Sequence, residues 1–248
     1  MIELDRSHLN FGSTLALDDC DLSINEGEQV ALIGPSGSGK SSLLRVLATE
    51  HALVSGDYRH NGRSIGSLCS KALKNQRCDI AYIPQNLALV SNLKVSQNIL
   101  LGKIGRQQLL ASIKGLLIPS SNELQLVQKI LSEVGIPEKL FHRTDSLSGG
   151  QQQRVAIARA LYQEASLILA DEPVSAVDPS RAHSLLECLT QMATKHTLTL
   201  ICSLHNLEYA KKFFPRLVGM REGKIVFDGK SSEFTDQDFN SLYQLDRG

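Results

Sequence analysis

Three short stretches carry residues that could handle phosphate: GPSGSGKSS from Gly34, LILADEP from Leu167 and LSGGQQQR from Leu147. The first fits GxxxxGK[ST] between Gly34 and Ser41. Such a loop lets successive backbone amides face an anion at a helix start. Gly34, Pro35, Ser36, Gly37, Ser38 and Gly39 would wrap the phosphates, with Ser42 continuing the helix start. Lys40 would reach the β and γ phosphates, and Ser41 would ligate magnesium. The ligand this chemistry requires is a nucleoside triphosphate; the alternative is a plain Gly/Ser turn between strand and helix. In the second stretch an apolar run delivers Asp171 and Glu172 to a strand's C-terminal end, where open α/β sheets bind ligands. Asp171 is placed to hold magnesium through water, and Glu172 to polarise an attacking water as general base. Standing alone the two acids would read as a solvated pair; the phosphate loop gives them a task.

The third stretch repeats the first in outline. Ser148, Gly149 and Gly150 precede a helical run from Gln151 to about Gln163, so a hydroxyl and several amides would again point out of a helix start. A phosphate loop covers a triphosphate from one side only, and a second amide cluster would complete the cage. The alternative is an ordinary N-cap followed by glycines, and the residues alone leave both open.

The elements that must position these stretches follow from periodicity. QVALIG, ahead of Gly34, is continuously apolar and leads into KSSLLRVLAT, a helical run; that is the pattern of a buried parallel strand feeding a helix. SLILAD and TLTLICS are again buried-strand runs, separated by a helix beginning near Pro179. IELDR, DLSI, SGDYRHNG and IAYIPQ are short strand-like runs bounded by turns. RLVGM and GKIVFDG read as a closing hairpin around REG. Between about Asn86 and Asp145, KVSQNILL, LLASIKGLL and LQLVQKILSEVG carry helical spacing and few strand signals. The expected architecture is an α/β fold with a mainly parallel sheet, antiparallel strands near the start and a helical insertion.

Bulk properties narrow the function classes. Lys+Arg and Asp+Glu both number 26 in 248 residues, so no global basic field favours nucleic acid, which is not expected as a partner. The start, MIELDRSHLNFG, has no signal-peptide pattern, and no segment approaches the ~18 uninterrupted apolar residues of a membrane span; a cytosolic chain is expected. Cys20, Cys69, Cys78, Cys188 and Cys202 form no CxxC pair and read as reduced packing residues, with neither a disulfide framework nor a zinc site. No repeat or low-complexity linker divides the chain, so a single domain over 1–248 is expected. The end at Gly248, soon after the hairpin, implies no sizeable C-terminal regulatory domain.

Together, LSGGQQQR, GPSGSGKSS and LILADEP resemble the ATP-binding subunits of ABC transporters, over nearly the whole chain. The resemblance implies a P-loop NTPase (RecA-like) core, an N-terminal antiparallel β subdomain and a helical subdomain inserted at about 87–153. It implies ATP and Mg2+ as cofactors and a head-to-tail homodimer, in which Ser148, Gly149, Gly150 and Gln151 of one copy close over ATP held by the other. Phe11 in LNFGST resembles the aromatic that stacks on adenine. Gln85 in YIPQN resembles the glutamine that contacts magnesium and the attacking water while joining core to helical subdomain. Ser175 to Asp178 resembles the loop coupling the two sites, with Val177 where leucine is usual; His205 resembles the histidine at the γ-phosphate. With no element missing, the chain should hydrolyse ATP.

The resemblance further implies integral permease subunits, peripheral attachment at the cytoplasmic face of the inner membrane and, in an importer, an extracytoplasmic solute-binding protein. Within the family, QNLALVSNLKVSQNILLGKIGR followed by SIKGLL resembles the phosphonate-import ATPases, making phosphonate or a related phosphorus oxyanion the preferred cargo. Import of polar amino acids or another small nutrient, lipoprotein release and a soluble ATPase of an assembly complex are the alternatives. Relatives that organise chromosomes would need a long heptad insertion, which the sequence lacks.

Overall fold

The computed structural model describes residues 1–106, 115–175 and 177–243. Its strands are β1 Ile2–Phe11, β2 Thr14–Ile24, β3 Gln29–Ile33, β4 Ser55–His60, β5 Arg63–Ser64, β6 Ile80–Ile83, β7 Leu167–Asp171, β8 Thr199–Ser203, β9 Arg216–Arg221 and β10 Lys224–Lys230. They form a four-stranded sheet, ordered β2-β1-β4-β5, and a six-stranded sheet, ordered β10-β9-β3-β8-β7-β6. The small sheet is antiparallel throughout. In the large one β6, β7, β8, β3 and β9 run parallel, and β10 closes the edge antiparallel to β9. The early antiparallel strands therefore build their own sheet, and the parallel sheet takes its antiparallel edge from the closing hairpin instead.

Parallel neighbours need crossovers, and helices supply them. The helices are α1 Lys40–Leu47, α2 Ser70–Cys78, α3 Val95–Leu100, α4 Ser121–Glu133, α5 Gly149–Tyr162, α6 Pro179–Lys195 and α7 Leu207–Phe213, with α8 Asp236–Tyr243 following the last strand. The sequence pattern gives no sign of α2, because none of its residues is buried and a helix without an apolar stripe shows no period. Both faces of the large sheet are covered, which explains its continuously apolar strands. Val30, Leu32, Leu169 and Ile201 pack with α1 and the small sheet. Ala31, Ile33, Ala170 and Cys202 pack with helices on the other side.

The helical insertion is anchored by local chemistry. Ser120 caps α4 in a reciprocal box with Glu123, and Val127, Ile130 and Leu131 turn inward at helical spacing. Asn98, wholly buried in α3, donates to Thr144 Oγ1 at 2.8 Å and accepts the Val90 amide at 2.8 Å. Of the LLASIKGLL run, residues 109–114 lie outside the described residues. Among the cysteines, Cys20, Cys188 and Cys202 are buried packing groups as expected, but Cys69 is exposed and Cys78 half-buried. Burial pushes the Cys20 thiol up to about 11, which keeps it protonated and unreactive.

The topology converges on one edge. β3, β6, β7 and β8 are parallel, so the residues that follow them, Gly34, Gln85, Glu172 and His205, emerge at the same, carboxyl end of the sheet.

Candidate active site

The phosphate loop joins β3 to α1, and glycine is required in it by contact as well as by conformation. Gly34 has φ +145° and a Cβ there would lie 2.1 Å from the Met220 carbonyl oxygen; Gly39 has φ +104° and would meet the Ala16 carbonyl oxygen at 2.6 Å. Lys40 is 3% exposed. Its Nζ donates to Gly34 O at 2.9 Å, Pro35 O at 2.8 Å and Ser38 Oγ at 3.3 Å. The ammonium thus folds the loop around itself. Desolvation draws its pKa below the usual lysine value, while Glu172 and Asp171 oppose that shift.

Asp171 is buried at the end of β7 and fully engaged. Its Oδ1 accepts Ser41 Oγ at 3.0 Å and Ser203 Oγ at 2.7 Å, and its Oδ2 accepts Tyr82 Oη at 3.3 Å. Glu172 leaves the strand with φ +48°. Its Oε2 accepts Gln85 Nε2 at 3.0 Å, its Oε1 meets His205 Nε2, and its amide donates to Ser203 Oγ at 2.9 Å. Gln85, Glu172 and His205, far apart in sequence, are therefore one hydrogen-bonded group. Ser175 extends it, donating to Glu172 O at 3.1 Å and accepting Gln85 Nε2 at 3.4 Å.

A cleft of about 240 Å³ is lined by Phe11, Ser36, Gly37, Ser38, Gly39, Lys40, Ser41, Ser42, Glu172 and His205. Phe11 is 48% exposed there, with its ring set edge-on to His51 at 5.1 Å. A larger cavity of about 1090 Å³ opens elsewhere, past Gln29, Thr190 and Arg216. It has no phosphate loop, and its guanidinium is already paired with Glu28 and Asp228 at 2.8 Å each; the smaller cleft is the one that gathers the phosphate-loop residues, Glu172 and His205.

Ser148, Gly149 and Gly150 are not among the residues lining that cleft. The helix begins two residues earlier than the sequence indicates, at Gly149, with Ser148 as N-cap. Ser148 Oγ accepts the Gln151 amide at 3.4 Å, and Gln151 Oε1 accepts the Ser148 amide at 3.1 Å. Capping and a further role are compatible, because a Cβ on Gly149 would meet nothing within 4 Å and one on Gly150 would meet only the Arg181 side chain, at 3.9 Å. Asp178 also caps a helix, accepting the Arg181 amide at 3.1 Å and Ser180 Oγ at 2.7 Å. The Ser180 hydrogen bond is the main reason its carboxyl lies below the usual aspartate range. Within Ser175 to Asp178, Ala176 lies outside the described residues.

Several residues at the site carry no sequence signal. Ser203 reads as a strand residue until register pairs it with Asp171, and Tyr82, paired with Leu169, reaches Asp171 through its hydroxyl. Arg159 on α5 donates to Leu87 O and Ala88 O at 2.7 Å each, where both residues have positive φ, +60° and +44°. Gln153 donates to Pro173 O at 2.5 Å. The helix behind Ser148 is thereby tied to the segment after Gln85 and to the segment after Glu172.

A parallel sheet with a phosphate loop, a strand-end acid pair and a glycine-tipped helix defines the class. The chain belongs to the ABC transporter family, whose profile matches residues 17–175; it is an ATP-binding subunit that hydrolyses ATP. It is 41% identical over 230 residues to the phosphonates import ATP-binding protein PhnC of Bacillus anthracis, covering 93% of this chain and 89% of the relative. It is 40% identical over 242 residues to the PhnC of Pseudomonas putida, covering 98% and 89%. Among solved structures, the dimeric post-hydrolysis ATP-binding cassette MJ0796, bound to ADP and Pi, superimposes with a TM-score of 0.77 at 27% identity, covering 94% of this chain and 100% of that one. The fold is shared with cbiO1 of Clostridium perfringens at a TM-score of 0.83.

Proposed function

We propose that this chain powers an importer of phosphonates or a related phosphorus oxyanion, working as a homodimer on a pair of integral permease subunits. The observation that carries the cargo is the 41% identity to a phosphonates import protein over 93% of this chain. A solute-binding protein outside the membrane completes such a system, and the chain sits peripherally at the cytoplasmic face of the inner membrane, on the permease. Among the described residues no helix is long and apolar enough to cross a membrane. Phe141, Leu117, Ile118 and Leu126 are exposed. All four lie in the helical insertion, which is the part of the chain that would meet the permease, and exposed apolar side chains suit such a contact.

In the ATP cycle, Lys40 and its loop hold the phosphates and Phe11 covers the adenine. Ser41 Oγ and Asp171 Oδ1, 3.0 Å apart, are hard oxygen donors of the kind magnesium takes one or two of beside substrate phosphates, so the residues present fit that ion. Magnesium bound there neutralises phosphate charge. Glu172 accepts the proton of the attacking water, while Gln85 and His205, both on its carboxylate, orient the water and contact the γ-phosphate. The cleft is lined by the phosphate loop, Glu172 and His205 but not by the Ser148 tip of the same copy, so one copy supplies one wall. The second wall is the Ser148–Gly149–Gly150 tip of the other copy, with Gln151 and Asp178 at the same junction.

Ser148→Arg puts a long cation on that tip without touching the cleft of its own copy. In a Glu172→Gln background it is expected to leave ATP affinity within about twofold and to abolish the ATP-dependent dimer on size-exclusion chromatography. A normal dimer would contradict the shared site. For the cargo, uptake of labelled methylphosphonate by cells lacking this chain should fall to background, return with the wild-type gene and stay absent with Glu172→Gln. Undiminished phosphonate uptake alongside lost uptake of another solute would overturn the assignment.

A further inference from the structure

Ser203 ends β8 directly beside Asp171 at the end of β7, as its register partner in the parallel sheet. The side chain is wholly buried, and its one hydroxyl is used in both directions. It donates to Asp171 Oδ1 at 2.7 Å and accepts the Glu172 amide at 2.9 Å. The two acids of the site are thus held by a single oxygen.

That oxygen sits where the backbone needs holding. Glu172 has φ +48°, a left-handed conformation that a non-glycine residue keeps only when its surroundings over-determine it. The turn takes Glu172 off the strand path and brings its carboxylate to Gln85 and His205. The next residue is proline, which has no amide to share in fixing the turn. On the other acid, Asp171 Oδ1 receives Ser203 and Ser41 together, so the same hydroxyl sets which way that carboxylate faces the phosphate loop.

We propose that Ser203 is a positioning residue for hydrolysis, whose hydroxyl locks Glu172 in its left-handed turn and orients Asp171 toward Ser41. The inference rests on Glu172 being the general base. Removing the hydroxyl leaves the Glu172 amide without its partner and lets the carboxylate drift, and displacement of a reacting group lowers turnover more than binding.

The test compares Ser203→Ala and Ser203→Thr with wild type and Glu172→Gln, reading kcat per ATP-binding site, KM and thermal melting. Ser203→Ala is expected to lower kcat about tenfold or more with KM for ATP, and ATP affinity measured by fluorescent-nucleotide titration, within about twofold; Ser203→Thr, which keeps Oγ, should return kcat to within about threefold of wild type. Unchanged kcat in Ser203→Ala overturns the inference. So does parallel loss of kcat, ATP binding and melting temperature in both variants, which would mark Ser203 as structural only. Glu172→Gln separates the two layers: if it stays active, the assignment of the base fails, and if it is inactive while Ser203→Ala is normal, only the role of Ser203 fails.

Discussion

Glu172→Gln is expected to bind ATP as wild type does while losing turnover by about 10² to 10⁴-fold, the range a positioned carboxylate base contributes. The substitution is close to isosteric and keeps an oxygen to accept Gln85 Nε2, which lies 3.0 Å from Glu172 Oε2 in the native site. It cannot take a proton from water. Because binding and hydrolysis separate in this variant, ATP should accumulate in the closed state, and a dimer should persist on size-exclusion chromatography with magnesium and ATP. Phosphate release near the wild-type rate would remove Glu172 from the role of base, since a residue that takes the proton in the transition state has no neutral substitute.

Lys40→Ala acts one step earlier. The ammonium is buried and makes three hydrogen bonds within its own loop, to Gly34 O, Pro35 O and Ser38 Oγ. Its loss leaves those oxygens without their donor and removes the cation expected at the phosphates. Charge-assisted bonds to phosphate are the strong class, and the expected loss of ATP affinity is about 100-fold, equivalent to about 2.7 kcal/mol. Nucleotide titration in the absence of turnover checks it. Affinity within twofold of wild type would count against the phosphate loop as the anchor. The two variants thus fail in different ways, one at binding and one at chemistry, and a single swapped result would disprove the division of labour.

How much of this was legible beforehand depends on whether a residue's role is local. Gly34 to Ser41 declares itself, because the loop, the strand before it and the helix after it are contiguous. Asp171 and Glu172 are legible for the same reason, at the end of an apolar strand. Ser203 is not: in TLICS it looks like any strand serine, and only the pairing of β7 with β8 sets it against Asp171. Arg159 lies in the helix behind Ser148, and its target carbonyls belong to a segment whose positive φ values no local pattern announces. Cys69 shows the opposite failure, since a residue type that is usually buried sits exposed at the start of α2. The tip at Ser148 is intermediate. Its capping box is readable from Ser148 and Gln151, but its separation from the cleft is a matter of topology.

If each triphosphate is held by two copies, the structure of Glu172→Gln trapped with magnesium and ATP will show it. Each γ-phosphate is expected within hydrogen-bond distance of Lys40 from one copy and of Ser148 from the other. A nucleotide-loaded dimer in which Ser148, Gly149 and Gly150 stand away from every phosphate would contradict it.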